Sequence, residues 1–166
     1  MPYATAQNML DRYDNRRLGQ LVRDDGTEAT STQLLSDTIL AAALSDAASI
    51  LNSAIFRGNR YLPTDLAALT GDDQALLIRV NCDLAFGLLH RRRGFTQSEI
   101  ETLAPGYKDA VLLMGRLELG DAIFNTTTAP GAGVHVTPVP LSSKITLVSS
   151  RWRYFGILNN EQFPQG

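Results

Sequence analysis

Over residues 36–57, SDTILAAALSDAASILNSAIFR, apolar side chains recur at intervals of seven. Leu40, Ala47 and Ala54 form one such set, Ala43 and Ile50 a second, Leu44 and Leu51 a third. Together they make one apolar stripe at helical spacing. Thr38, Ser45 and Asn52, also seven apart, lie on another side with Asp46 and Ser53 beside them. Ser36 or Asp37 can cap the start, because a short side-chain oxygen accepts from an orphan backbone N–H. Gly58 is expected to stop the helix by taking the left-handed conformation. At 1.5 Å per residue the element is roughly 30 Å long. Its alanine-rich stripe lets a neighbouring helix come close, and no catalytic residue type lies on it.

The chain before this spine predicts two short helices. Thr5 caps the first, which carries Met9, Leu10 and Tyr13. Asp14 caps the second, which carries Leu18, Leu21 and Val22. Residues 24–31 read as a polar loop. Their aspartates and glycine lack the further ligands and terminal glutamate of a calcium loop.

After the spine, Pro63 forbids a continued helix and pushes Leu62 toward an extended conformation. Residues 65–68 suit a single turn. Asp72 or Asp73 is expected to cap the next helix, DQALLIRVNCDLAFGLLHRRR. It is apolar around much of its circumference, so it belongs at the centre of a bundle. Arg79 and Asp83 are spaced to pair. Gly87 costs about 1 kcal/mol against alanine, which a close helix crossing would explain. Gly94 ends the helix. Thr96 and Glu99 have capping-box spacing before a short helix over 97–103. Pro105 then suits the first turn of a last helix over 105–119, with Tyr107, Val111, Met114 and Leu117 or Glu118 on one face and Gly120 at its end.

The pattern changes after Phe124. Residues 125–133, NTTTAPGAG, compose a flexible linker. Residues 134–140 are extended and proline-bearing, and KITLV at 144–148 reads as a strand. RWRYF at 151–155 alternates charge and aromatic. The expected fold class is therefore mainly α. It is a small helical bundle over 1–124 with a linker and extended C-terminal arm, holding one or two β-strands, over 125–166. Lys144, Ile145, Leu147, Arg151, Trp152, Arg153, Tyr154 and Phe155 are the candidate partner-binding residues. Aromatics and arginine bury large area or make forked hydrogen bonds, and an extended segment can add to a partner's sheet edge. The alternative is a hairpin folded back over the bundle; the long linker favours an outward reach. Thr38, Ser45 and Asn52 are the candidate subunit interface.

Composition narrows the chemistry. A chain of 166 residues fits one domain with an appendage. With 15 basic and 17 acidic residues the net charge is −2, which gives no global attraction to nucleic acid or anionic membrane. No apolar run is expected to approach the ~18–20 residues of a membrane span, and MPYATAQNML lacks the pattern of a signal peptide. The lone Cys82 excludes an intrachain disulfide and any multi-cysteine metal site, which suits a reducing cytosol or a particle assembled there. His90 and His135 lack partners at metal-ligand spacing. His90 sits beside Arg91, Arg92 and Arg93, where positive charge complements a helix C-terminus; the same arginines, with Arg16 and Arg17, could touch phosphate. Cys82 reads as a core residue. There is no phosphate loop or nucleophile elbow, and Asp24/Asp25, Asp72/Asp73 and Glu99/Glu101 fit caps and turns. No catalytic residue, cofactor or metal site is expected.

An ordered set of short matches runs through residues 2–120. It comprises Tyr3-Ala4-Thr5, Leu44-Ser45-Asp46-Ala47-Ala48, Arg60-Tyr61-Leu62-Pro63, Leu77-Ile78-Arg79-Val80-Asn81-Cys82-Asp83 and Tyr107-Lys108-Asp109-Ala110. By these residues the chain resembles head–tail connector (adaptor) proteins of tailed bacteriophages, particularly the Mu-like branch. A weaker match covers residues 148–158. The chain departs from the family pattern at Pro105-Gly106, in the threonine-rich linker and in the extended tail. The resemblance implies a structural virion protein, made in the bacterial host cytoplasm and located in the neck. Its copies would form a ring, usually of twelve, beneath the portal protein, extending the DNA channel and docking a neck, stopper or tail-terminator protein. Viral DNA would pass without specific binding, because each neutralised phosphate strengthens binding. A small helical nucleic-acid-binding or regulatory protein is the alternative class, and an enzyme is third.

Overall fold

A computed structural model describes residues 3–24 and 29–126. Eight helices occupy them: α1 (Ala6–Arg12), α2 (Asn15–Val22), α3 (Ser31–Leu35), α4 (Thr38–Gly58), α5 (Pro63–Ala67), α6 (Gly71–Arg92), α7 (Gln97–Leu103) and α8 (Pro105–Glu118). No strand occurs among the described residues. The expected strands in the arm, and all but the first two residues of its linker, lie outside them.

Local chemistry sets most boundaries. Thr5 accepts from the Asn8 N–H at 3.3 Å while Asn8 accepts from the Thr5 N–H at 2.8 Å, a reciprocal box at the start of α1. Asp14 caps α2 and Asp37 caps α4 through bonds of 2.7 and 2.8 Å to backbone N–H groups. Thr96 and Glu99 open α7, and Pro105 stands in the first turn of α8. Three expectations change. Thr70, without a side-chain bond, precedes α6, so Asp72 and Asp73 lie inside its first turn, where negative charge complements the helix dipole. Residues 24–31 are not all loop: Thr30 and Gln33 form a capping box that starts α3. α4 runs through Gly58 and ends at Asn59, which takes the left-handed conformation at φ 49°.

The role of Gly58 is spatial. A methyl group there would lie 1.9 Å from the Leu117 carbonyl oxygen, so the ends of α4 and α8 pass nearly backbone to backbone. Gly87 plays the part expected of it: a methyl there would meet the Tyr107 ring at 2.1 Å. These two contacts set α8 against both long helices, and α4, α6 and α8 form a mutually packed triad.

α6 is buried from Leu77 to His90 on more than one face, as its composition requires. The α4 stripe of Leu40, Ala43, Leu44, Ala47, Leu51, Ala54 and Ile55 is buried too. Contrary to the expectation that no apolar run reaches the length of a membrane span, α4 is long and apolar enough to cross one by length and composition, its few polar residues notwithstanding. Here its stripe packs inside the bundle. The short helices α1–α3 close the core with Met9, Leu18, Val22 and Leu34. Tyr61 secures the chain beyond α8. Its hydroxyl accepts from the Ile123 and Phe124 N–H groups at 2.7 and 2.9 Å, and its ring meets Phe124 edge-on.

Candidate functional site

Thr38, Ser45 and Asn52 do share the outer side of α4, but their environments differ. Thr38 and Ser45 are exposed. Asn52 is half-buried and its Oδ1 accepts from the Tyr3 hydroxyl, so it holds the N-terminal segment onto α4. Lys144, Ile145, Leu147, Arg151, Trp152, Arg153, Tyr154 and Phe155 lie outside the described residues.

The basic run that ends α6 is engaged within the protein. Arg92 donates to the Leu21 and Val22 carbonyls at 3.1 and 3.4 Å, and Arg93 to those of Gln20 and Arg23. These are among the last carbonyls of α2 and its cap, which have no partner inside that helix. Both arginines also pair with Asp24. Arg91 donates to Gln97 and to the Tyr107 hydroxyl at 3.0 and 3.2 Å.

His90 departs from the expected helix-terminal cation. It is buried, with Nδ1 2.9 Å from the Phe86 carbonyl and Nε2 3.4 Å from the Arg17 guanidinium. The tautomer protonated at Nδ1 satisfies both contacts. Burial lowers its pKa; the Phe86 carbonyl opposes that shift and the Arg17 charge adds to it. Its ring meets Phe86 and Phe95 edge-on, with centroids 4.5 and 5.5 Å away. Arg17 in turn lies 5.4 Å over Phe86 and donates to the Leu103 carbonyl at 3.0 Å.

One turn or two earlier on α6, Asp83 accepts from the Tyr13 hydroxyl and pairs with Arg79 at 3.5 Å, the pairing that their spacing foretold. A methyl on Gly106 would come within 2.8 Å of the Asp83 carboxylate, so this charge sits at the first turn of α8. The Ala104 cap of α8 offers no side-chain acceptor of its own, and an anion there complements the helix dipole. Burial, then the Asp83 bond and charge, push the Tyr13 pKa well above its ordinary value. Cys82 is a core thiol pushed up to about 12, chiefly by burial. Asn81 is fully buried, and neither its oxygen nor its nitrogen has a hydrogen-bond partner among the described residues. No group of His, Cys, Asp and Glu among the described residues could hold a metal ion. The polar groups at this junction hold α1, α2, α6 and α8 together.

Two outward features remain. A groove of about 660 Å³ opens between residues 38–46 of α4 and 88–92 of α6. Ala42, Ala43, Leu88 and Leu89 lie along it, with Asp46 on one wall and Arg91 and Arg92 on the other. On α8, Leu112 is 61% and Leu119 83% exposed. The periodicity that predicts the inward face of α8 leaves this outward pair without a structural role. The signal was present, since leucines seven apart stand opposite Tyr107 and Met114.

No curated protein and no solved structure matches the chain. A family model described as Bacteriophage Mu, Gp36 matches residues 3–134, a span that takes in every described helix. The chain belongs to the bacteriophage Mu Gp36 family.

Proposed function

We propose that the protein is a head–tail connector: a structural, non-enzymatic component of the virion neck that forms a ring beneath the portal. The match to a phage family over residues 3–134 carries this reading. The ring, of twelve copies in this reading, extends the DNA channel and presents a platform to the neck, stopper or tail-terminator protein. Lys144, Ile145, Leu147 and residues 151–155 form the docking segment toward the portal or a neighbouring copy. Thr38 and Ser45 face the neighbouring subunit, and Asn52 joins them where Tyr3 leaves it accessible. DNA passes without specific contact, and no membrane or cofactor takes part.

The architecture suits this role. The titratable groups of the α6 junction are taken up in contacts between helices, which favours rigidity over chemistry. Arg92 and Arg93 serve α2 and Asp24, which weighs against the nucleic-acid-binding alternative.

The test is to mix the purified protein with portal and image the product. Rings stacked coaxially on the portal are expected, and a chain truncated after Phe124 is expected to lose docking. Undiminished docking by the truncated chain would overturn the arm assignment; failure of the full chain to dock would overturn the connector reading. Fluorescence-detected DNA binding at low salt separates the alternative, which requires affinity that falls steeply as salt rises.

A further inference from the structure

We propose that the outer face of α8 seats in the α4–α6 groove of a second copy, making a head-to-tail contact. The inference rests on the reading of the protein as one that assembles with itself. Gly115 supplies the first observation. Glycine within a helix costs about 1 kcal/mol against alanine; Gly58 and Gly87 each have a neighbour that excludes a side chain, and at Gly106 a methyl would crowd the Asp83 carboxylate. Gly115 has no such neighbour: a methyl there would meet nothing within 4 Å. Among the described residues nothing requires this glycine, whereas close approach by another chain would.

The flanking residues describe what approaches. Leu112 and Leu119 stand one turn to either side of Gly115 and are largely exposed. At 3.6 residues per turn, Asp109 and Arg116 fall together on one flank of this ridge, with Lys108 and Gly115 on the other. The ridge is thus two leucines bordered by an acid and a base seven positions apart. The groove offers the complement, an apolar lining with Asp46 on one wall and Arg91 and Arg92 on the other. The apolar lining of the groove gives the two leucines a surface to bury against. Asp46 then receives Arg116, which exchanges its exposed pair with Asp121, while Asp109 turns toward Arg91. Because ridge and groove are different surfaces, each copy uses one of each, and the contact propagates from copy to copy rather than ending at a dimer, into a ring where the rotation between copies closes.

Cross-linking tests the pairing on the full chain. Ala42→Cys and Leu112→Cys change exposed positions, and the native Cys82 is buried. Mixing the two variants under mild oxidation should give a disulfide-linked pair that neither gives alone. Charge exchange provides a second readout by sedimentation. Asp46→Arg and Arg116→Glu should each raise the concentration needed for association about tenfold, and together restore it. Linkage by Leu112→Cys alone would show two α8 faces meeting each other and overturn the proposal. So would unchanged association in both charge variants with no mixed cross-link. A wild-type chain that stays monomeric at every concentration also overturns it, while portal docking independently decides the connector reading.

Discussion

Gly58 and the Leu117 carbonyl stand so close that a single methyl group would fall 1.9 Å from the oxygen. The neighbouring contacts reinforce the junction. Arg57 pairs with Glu118 at 3.0 Å, and the Arg60 guanidinium reaches the Gly120 carbonyl. Backbone cannot rotate aside as a side chain can, so Gly58→Ala must separate α4 from α8. The expected loss is about 3 kcal/mol, at the upper end for overpacking, read as a lowered midpoint in urea. The same change at Gly115 should be neutral or stabilising for the isolated subunit.

At Gly87 the obstacle is a ring. Gly87→Ala should destabilise by about 1–3 kcal/mol, and Tyr107→Leu should be less harmful in that background than in the wild type. A double-mutant cycle by chemical denaturation measures the coupling, expected to be favourable because the smaller side chain vacates the space the methyl needs.

His90 governs the acid side of stability. Its pKa is lowered in the folded protein, so the unfolded chain takes up the proton first. Stability should therefore fall as pH drops below the ordinary histidine value of 6.5 toward the lower folded value. His90→Gln should flatten this part of a Tm-against-pH curve.

Tyr13 and Cys82 govern the alkaline side with the opposite sign. Both pKa values are raised by burial, so the unfolded chain loses its protons first. Stability should decline as pH rises through the ordinary values of 9.0 for the thiol and 10.0 for the phenol. Cys82 should also resist thiol reagents at neutral pH until the protein unfolds, because the thiolate is the reactive form. Reaction kinetics with and without denaturant check this.

Asn81 is buried without a polar partner among the described residues. Asn81→Leu removes the desolvated amide at similar volume and should raise stability by about 1–3 kcal/mol. A calorimetric Tm decides the sign.

The sequence was most legible where the physics is local. Thr5, Asp14, Asp37 and the Thr96–Glu99 pair could be assigned as caps because each acts on a backbone group within three residues. The burial of α6 followed from its composition, and Gly87 from its cost. α3 was missed because five residues carry too little periodicity to register; its Thr30–Gln33 box was the available signal. The fates of His90, Arg92 and Arg93 depend on α2, about seventy residues away in sequence. No local rule brings Gln20 or Leu21 beside them, so a helix-terminal charge was the natural reading. Gly58 misled for the same reason: a glycine at a helix end fits both a stop and a crossing, and only the position of Leu117 distinguishes them. The pairing of Thr38 and Ser45 on the outside of α4 was readable from spacing, but the Tyr3 hydroxyl on Asn52 was not.

Tyr61 lies between α4 and α5, yet it fastens the backbone at Ile123 and Phe124. A load applied to the chain beyond this point would therefore not simply peel α8 from its end. It would first be borne by the two N–H bonds to one phenol oxygen and passed sideways into the α4–α5 connection. Force entering from beyond Phe124 would thus reach the bundle through a clasp, with α8 shielded from the strain.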